Sequence, residues 1–321
     1  MPKPSKIKPL LFILLIIGVL CLKLEASDKV DTLKSIIKNT NSDTTKIDAI
    51  IKLTGTLKYN NPDSAITLSK QALRLTKELN EKKEMAKLQH RLGVCHYMKS
   101  NYARALEFYF KSIKTKKEIN YKKGIGISYS NIGIVYFKQS NYPKALEYYF
   151  KGLEIHKEMD DTVQMSSSYH NIGGVYHRQG NFSKALEYYF KSLKNEKKRG
   201  NKFGMAKSYN NLGIIKEAQN KYKECLNYYF KALEIRKKIN NKRAIAQSYT
   251  NLGSLLSSIS EEADSTKKMV LRWIDNMEGW KKEGQLIGNK KEQILSLAEQ
   301  FQLKAQKIHN EIDSKEKRFF L

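Results

Sequence analysis

From residue 43 onward, apolar and charged positions alternate along the chain at helical spacing. In one representative stretch Leu146, Tyr149, Phe150, Leu153 and Ile155 recur on one side while Lys144, Glu147, Lys151 and Glu154 take the other, the signature of an amphipathic helix. A polar turn, Gln139-Ser140-Asn141, separates this stretch from the one before it. The pattern predicts helices in pairs. At the upstream end Ser42-Asp43 supplies a cap for a helix from about Thr44 to Tyr59, followed by a partner helix from Asp63 to Leu79. A shorter helix near Val30 to Lys38 would shield the apolar face of this first pair.

The pairs repeat at a fixed interval. Aligning Asn61, Asn101, Asn141, Asn181 and Lys221 puts five blocks of forty residues in register without an insertion. Gly93, Gly133, Gly173, Gly213 and Gly253 then form one column, preceded by Leu92, Ile132, Ile172, Leu212 and Leu252. Before these stand Asn131, Asn171, Asn211 and Asn251, with Arg91 in the earliest block. A small column, Ala65, Ala105, Ala145, Ala185 and Cys225, is followed four residues later by Tyr109, Tyr149, Tyr189 and Tyr229, with Ser69 in the first block. Glycine inside a helix costs about 1 kcal/mol relative to alanine, so its recurrence implies close helix approach. The alanine column is expected to face it, with the tyrosines filling the space between neighbouring hairpins. A hairpin of this kind buries its apolar face only by stacking on others.

These residues resemble the tetratricopeptide repeat family, whose W-x2-L-G-x2-Y then A-x3-F pattern stands here as Tyr129-x2-Ile132-Gly133-x2-Tyr136 followed by Ala145-x3-Tyr149. The interval is forty rather than 34, and Lys216 and Leu256 replace the second aromatic in later blocks. Forty-residue forms are similar to those of spindle-orientation scaffolds, kinesin light chains and bacterial exported signalling proteins, and the resemblance implies a lengthened first helix with its connector, here Tyr121–Gly124 and Asn201–Gly204. It also implies an all-α, right-handed α-solenoid whose first helices line a concave, peptide-binding groove.

Both ends depart from the repeat. Lys3, Lys6 and Lys8 precede thirteen uncharged residues, Leu10 to Leu22, and Leu24-Glu25-Ala26 precedes Ser27, as in an export signal cleaved near Ala26. Thirteen residues fall short of the roughly 20 that span a bilayer, and the alternative is an uncleaved anchor through residues 10–22. At the other end, Ala298 and Ala305 superimpose on Cys225 and Ala232 after a shift of 73 residues, which marks an eroded second helix of a sixth unit. The expected organisation is a signal peptide (1–26), a capping segment (27–42), a repeat array of about five to six hairpins (43–260), an irregular insertion (261–292) and a degenerate, shortened final repeat (293–321). In the insertion Val270, Trp273, Ile274 and Met277 share a helical stripe, and Trp273 and Trp280 suit a capping helix better than a binding patch.

Composition narrows the chemistry. The 321 residues carry a net charge of +27, yet the lysines are spread over every helix and the aromatics sit in core columns, which argues against a nucleic-acid partner. Cys21, Cys95 and Cys225 are too few and too scattered for a disulfide framework or a zinc knuckle. His90 and His170 share a column and His177 follows seven residues after His170, but no cysteine or carboxylate recurs beside them to complete a metal site. GxSxG, HExxH, Walker A and GxGxxG motifs are absent. No enzyme activity, cofactor or metal is therefore expected.

The asparagine column remains as the functional signal. Equal spacing on successive first helices suits an extended or helical ligand, since an amide both donates and accepts; an interhelical bond that orders the stack is the other role open to it. The candidate peptide-binding set is Ser130, Asn131, Phe137, Lys138, His170, Asn171, His177, Arg178, Asn210, Asn211, Thr250 and Asn251, with Lys138 and Arg178 as partners for carboxylates. Two readings follow: an exported, non-catalytic scaffold that holds a protein or peptide partner, with membrane contact only through an uncleaved N-terminus, and the sensor portion of a signalling protein of the histidine-kinase or transcription-regulator type that lacks its output domain.

Overall fold

The computed structural model describes residues 30–275 and 290–317. The expected signal peptide, Met277, Trp280 and the Phe319-Phe320-Leu321 end lie outside the described residues. Every regular element among the described residues is a helix. In chain order they are α1 (30–39), α2 (Asp43–Asn60), α3 (Pro62–Glu78), α4 (Lys82–Met98), α5 (Tyr102–Glu118), α6 (Lys122–Lys138), α7 (Tyr142–Glu158), α8 (Thr162–Arg178), α9 (Phe182–Lys198), α10 (Lys202–Ala218), α11 (Tyr222–Lys238), α12 (Lys242–Ser260), α13 (Asp264–Asp275) and α14 (Lys290–Lys317).

The forty-residue interval has a simple construction. From α3 to α11 each helix has 17 residues, and three-residue turns join them. No long connector exists: Tyr121 and Asn201 are N-caps, and the Lys122–Gly124 and Lys202–Gly204 segments form the first helical turns of α6 and α10. The expected connectors are thus helical, and the extra length over the 34-residue form sits in the helices.

Each turn is closed by one backbone device. The middle residue, at 80, 100, 120, 140, 160, 180, 200, 220 and 240, has a positive φ between 48° and 72°. In one example Ser100 N donates to Tyr97 O at 2.9 Å and Asn101 N to His96 O at 2.9 Å, the paired bonds of a Schellman motif. Asparagine, serine, aspartate or glycine fills the middle position, and asparagine, aspartate and glycine adopt this conformation at least strain. Where the residue after it is asparagine, its side chain caps the next helix: the Oδ1 atoms of Asn101, Asn141, Asn181 and Asn241 accept from the backbone N–H of Arg104, Lys144, Lys184 and Ala244 at 3.0–3.3 Å. The asparagines that marked the register are therefore N-caps. Ser42 caps α2 in the same way through Thr45 N, at 3.3 Å.

The glycine column packs against the tyrosines of its own hairpin. A methyl group built on Gly133 would lie 2.6 Å from a ring carbon of Tyr149, and the same clash meets Gly93 with Tyr109, Gly173 with Tyr189 and Gly213 with Tyr229. This corrects the expected roles of both columns: the tyrosine excludes the side chain, and it does so within the hairpin. Close backbone approach occurs elsewhere, where Ser112 Oγ donates to Ala86 O at 2.7 Å and Ser192 Oγ to Ser166 O at 3.1 Å. At the matching site of α7 is Gly152, whose added Cβ would lie 3.0 Å from Gly126 O.

The helices form two compact units, divided after Ile155. In the first, hairpins α2–α3 and α4–α5 are followed by α6 with the first part of α7, and α1 packs Leu33 on Ala49 and Leu53. The second holds hairpins α8–α9, α10–α11 and α12–α14, stacked as an α-solenoid with one continuous core running from Cys225 to Ala305. Here α14 takes the place of a second helix: an added Cβ at Gly253 meets Gln302 Cγ at 2.9 Å, and residue 302 is the position to which the shift of 73 carries Tyr229. Phe301 stacks on Tyr249 at 5.9 Å and meets Phe230 edge-on at 6.2 Å. Lys216, which departs from the family pattern, pairs with Glu224 at 2.7 Å. The preceding blocks instead set Lys144 and Lys184 over Tyr136 and Tyr176, at 5.2 and 5.0 Å.

Candidate functional site

The first helices of the hairpins present the asparagine column, and its geometry is a chain of bonds between neighbouring first helices. In the first unit Asn131 Nδ2 lies 3.2 Å from His90 Nε2. In the second, Asn211 Nδ2 lies 3.4 Å from His170 Nε2, and Asn251 Nδ2 donates to Asn210 Oδ1 at 3.0 Å. Gln247 Nε2 donates to Asn251 Oδ1 at 2.8 Å. The ladder thus performs the ordering role foreseen for it, and its members are half-buried.

Both histidines of the ladder are neutral. Burial, with the charges of Lys116, Arg91 and Lys58 added, lowers His90 to about 3. Burial and the Lys207 charge lower His170 to about 3. A neutral ring accepts at one nitrogen and donates at the other, which suits His90 between Asn131 and the Ser128 hydroxyl, 3.1 Å from Nδ1. Each ring also packs on the glycine-column tyrosine of its own hairpin, Tyr109 at 5.3 Å and Tyr189 at 5.6 Å.

The remaining sequence-predicted residues divide into two groups. Phe137 and His177 are half-buried at the hairpin turns, where their rings meet Tyr142 at 6.0 Å and Phe182 at 6.3 Å; burial and the Arg178 charge also depress His177. Ser130 packs its hydroxyl against Gly152, and Asn171 is half-buried. Lys138, Arg178 and Thr250 are exposed, and the Thr250 hydroxyl donates back to Ala246 O at 3.1 Å. Cys95 and Cys225 are fully buried, and burial pushes the Cys95 thiol up to about 11.

Two features escaped the sequence reading. The first is a buried polar column, Thr76, Lys116, His156, Glu196 and Arg236, spaced by forty. Lys116 Nζ donates to Gly124 O at 3.0 Å and to Ser128 Oγ at 2.7 Å. Arg236 repeats this with Ala244 O at 3.1 Å and Ser248 Oγ at 2.6 Å. Glu196 accepts instead, from Asn201 Nδ2 at 2.7 Å and Arg199 at 3.0 Å. The fixed interval was the signal that could have found it. The second is a charge asymmetry: α6, α8 and α12 contain no aspartate or glutamate, whereas α5, α7, α9 and α11 all do. Glu84 and Glu217 are the acidic residues of α4 and α10. Glu84 pairs with Lys87 at 3.1 Å, and Glu217 accepts from the Tyr229 hydroxyl at 2.5 Å.

Comparison with known proteins agrees with this architecture. The tetratricopeptide repeat family model matches residues 124–198 and 204–265. No protein of curated function matches the sequence. Among solved structures, RapI in its apo form is similar at 17% identity, over 84% of this chain and 99% of that one, with a TM-score of 0.60. BtubC (BKLC) from P. vanneervenii is 18% identical over 67% of this chain and 90% of its own, with a TM-score of 0.58. A Rap protein complexed with competence and sporulation factor is 13% identical over 79% and 74%, with a TM-score of 0.53. At such identities the likeness is one of fold. Fixed interval, glycine–tyrosine hairpins and family match converge: over residues 124–198 and 204–265 the chain is similar to the tetratricopeptide repeat family, in a forty-residue form.

Proposed function

We propose that the protein is a non-catalytic interaction scaffold whose first-helix face holds an acidic segment of a partner protein. The observation that supports this reading is the scarcity of carboxylates on the first helices α4, α6, α8, α10 and α12, where Glu84 and Glu217 are the two present and both are engaged within the fold. Each unit by itself offers an exposed cation on a helix with no competing acid, Lys138 on α6 of the first and Arg178 on α8 of the second, which favours a partner carrying carboxylates. The similar Rap structure is complexed with competence and sporulation factor, a precedent for ligand binding on this fold. Because the Asn131 and Asn211 amides are engaged by His90 and His170, recognition falls to the exposed Lys138 and Arg178 instead. Export with cleavage near Ala26 belongs to the same reading, and recovery of Met1 from a cytosolic fraction by N-terminal sequencing would refute that part.

The test is capture of the partner by the full chain and by Lys138→Glu/Arg178→Glu. Both side chains are exposed, so the melting temperature should hold while affinity falls at least tenfold. Undiminished capture by the folded variant would overturn the assignment. The reading as a sensor lacking its output domain has no separate structural observation in its favour.

A further inference from the structure

The asparagine column breaks at its first member, and the break has a structural cause. Asn131, Asn211 and Asn251 each reach the residue 41 positions earlier, on the preceding first helix. For position 91 that residue is Ile50, buried and apolar, which offers an amide side chain nothing to bond. Arg91 stands there instead, half-buried, and its guanidinium lies on the backbone of α2: a Cβ built on Gly55 would be 3.2 Å from Nη2 and 3.7 Å from Cζ. At the matching position of each later first helix is a fully buried side chain, Cys95, Val135, Val175, Ile215 or Leu255. Glycine at 55 therefore opens the cradle that the guanidinium occupies.

The surroundings of Arg91 are cationic. One turn beyond Gly55 come Lys58 and Tyr59; Lys58 Nζ sits over the Tyr59 ring at 4.7 Å, and Tyr59 is 61% exposed. Lys58 belongs to the column that carries Lys138 and Arg178 in later blocks. Among the described residues no carboxylate pairs with Arg91 or Lys58: the groups that face Arg91 are the Cys95 thiol and the Tyr59 phenol. Asp48, Asp63 and Glu84, on α2, α3 and α4, pair instead with Lys52, Lys99 and Lys87. His90, next in the chain, feels the same field, for the charges of Lys116, Arg91 and Lys58 all lower it and no acid raises it. A half-buried guanidinium in such a field is suited to a bidentate carboxylate.

We propose that Arg91, on its Gly55 cradle, and Lys58 together hold an aspartate or glutamate side chain of the partner segment, with a residue flanking that acid resting on Tyr59. The proposal rests on the interaction-scaffold reading and adds the position and chemistry of one anchor, within the first unit.

The experiment titrates the full chain with a fluorescent, acetylated and amidated pentaglutamate peptide, with pentaglutamine as the neutral probe. Saturable binding of the glutamate peptide alone is expected, weakened about tenfold or more by Arg91→Gln/Lys58→Gln. The variant Lys114→Gln/Lys117→Gln makes the same charge change at exposed positions of α5 and should bind like the wild type. Gly55→Leu keeps the net charge and fills the cradle; leucine suits a helix better than glycine, so the melting temperature should hold while the peptide is lost. Binding equal to the wild type in Arg91→Gln/Lys58→Gln or in folded Gly55→Leu, an equal loss in the α5 variant, or no binding by the wild type would overturn the proposal. Displacement by inorganic phosphate at concentrations below that of the peptide would overturn it as well, in favour of a phosphate site. Partner capture that still depends on Lys138 and Arg178 would then leave the scaffold reading standing. Peptide binding lost in Arg91→Gln/Lys58→Gln, alongside capture that ignores Lys138 and Arg178, would reject the scaffold assignment and keep the anchor.

Discussion

His90 and His170 illustrate how single residues couple the ladder to the stability of the stack. Each is held neutral in the fold, near 3 against an ordinary 6.5, so as pH falls through that window the unfolded chain takes up protons that the folded chain refuses. Stability is therefore complete above about 6.5 and is lost as pH falls toward 3. In urea melts from pH 7 to pH 4, His90→Gln/His170→Gln should lose less stability than the wild type, because glutamine can accept the asparagine amide without titrating. Parallel losses would show that the ladder histidines are not the acid-sensitive groups. The buried Lys116, lowered to about 8 by desolvation, belongs to the same class of internal polar group: its ammonium is tolerated because a carbonyl and the Ser128 hydroxyl receive it. A reading of hydrophobic periodicity assigns such positions to the solvated side, which is why this column stayed hidden. The glycine column was legible, but its partner was not, since spacing alone cannot say whether an alanine or a tyrosine ring occupies the facing space.

At the scale of elements the construction is unusually regular: equal helices, equal turns, and a left-handed residue every twenty positions. The turns were readable from Gln139-Ser140-Asn141, whereas the connectors expected at 121–124 and 201–204 proved helical because Tyr121 and Asn201 start their helices immediately. The most informative element is α14. It comes after α13 and the segment 276–289, yet it packs on α12 in the register of a second helix, which the shift of 73 residues anticipates. Phe301 is the pivot of this substitution, at 1% exposure between Phe230 and Tyr249. Truncating it should leave a cavity in the continuous core of the second unit. We expect Phe301→Ala to lower stability by about 3–5 kcal/mol and to accelerate amide exchange first in α12 and α14. A loss below about 1 kcal/mol would mean that α14 rests on the unit without completing its core.

For the molecule as a whole, charge distribution separates the two helix classes more sharply than hydrophobicity does. Second helices mix both signs and pair them locally, as Lys111 with Glu107, Lys151 with Glu147 and Lys191 with Glu187, at 2.5–2.6 Å. Exposed pairs of this kind contribute little to stability, and they engage carboxylates that the first helices from α4 to α12 almost entirely lack. The net charge of +27 was evident from composition; that the carboxylates between α4 and α12 gather on the second helices became visible only once the boundaries of each helix were known. The central claim, a partner held on the first-helix face, is tested most directly by site-specific photo-crosslinking in the partner's presence. A photoreactive residue at Ser167 or Gln247, exposed on α8 and α12, should crosslink the partner, while one at Lys194 or Lys231, exposed on α9 and α11, should not. Crosslinks confined to α9 and α11 would contradict the account and move recognition to the second helices.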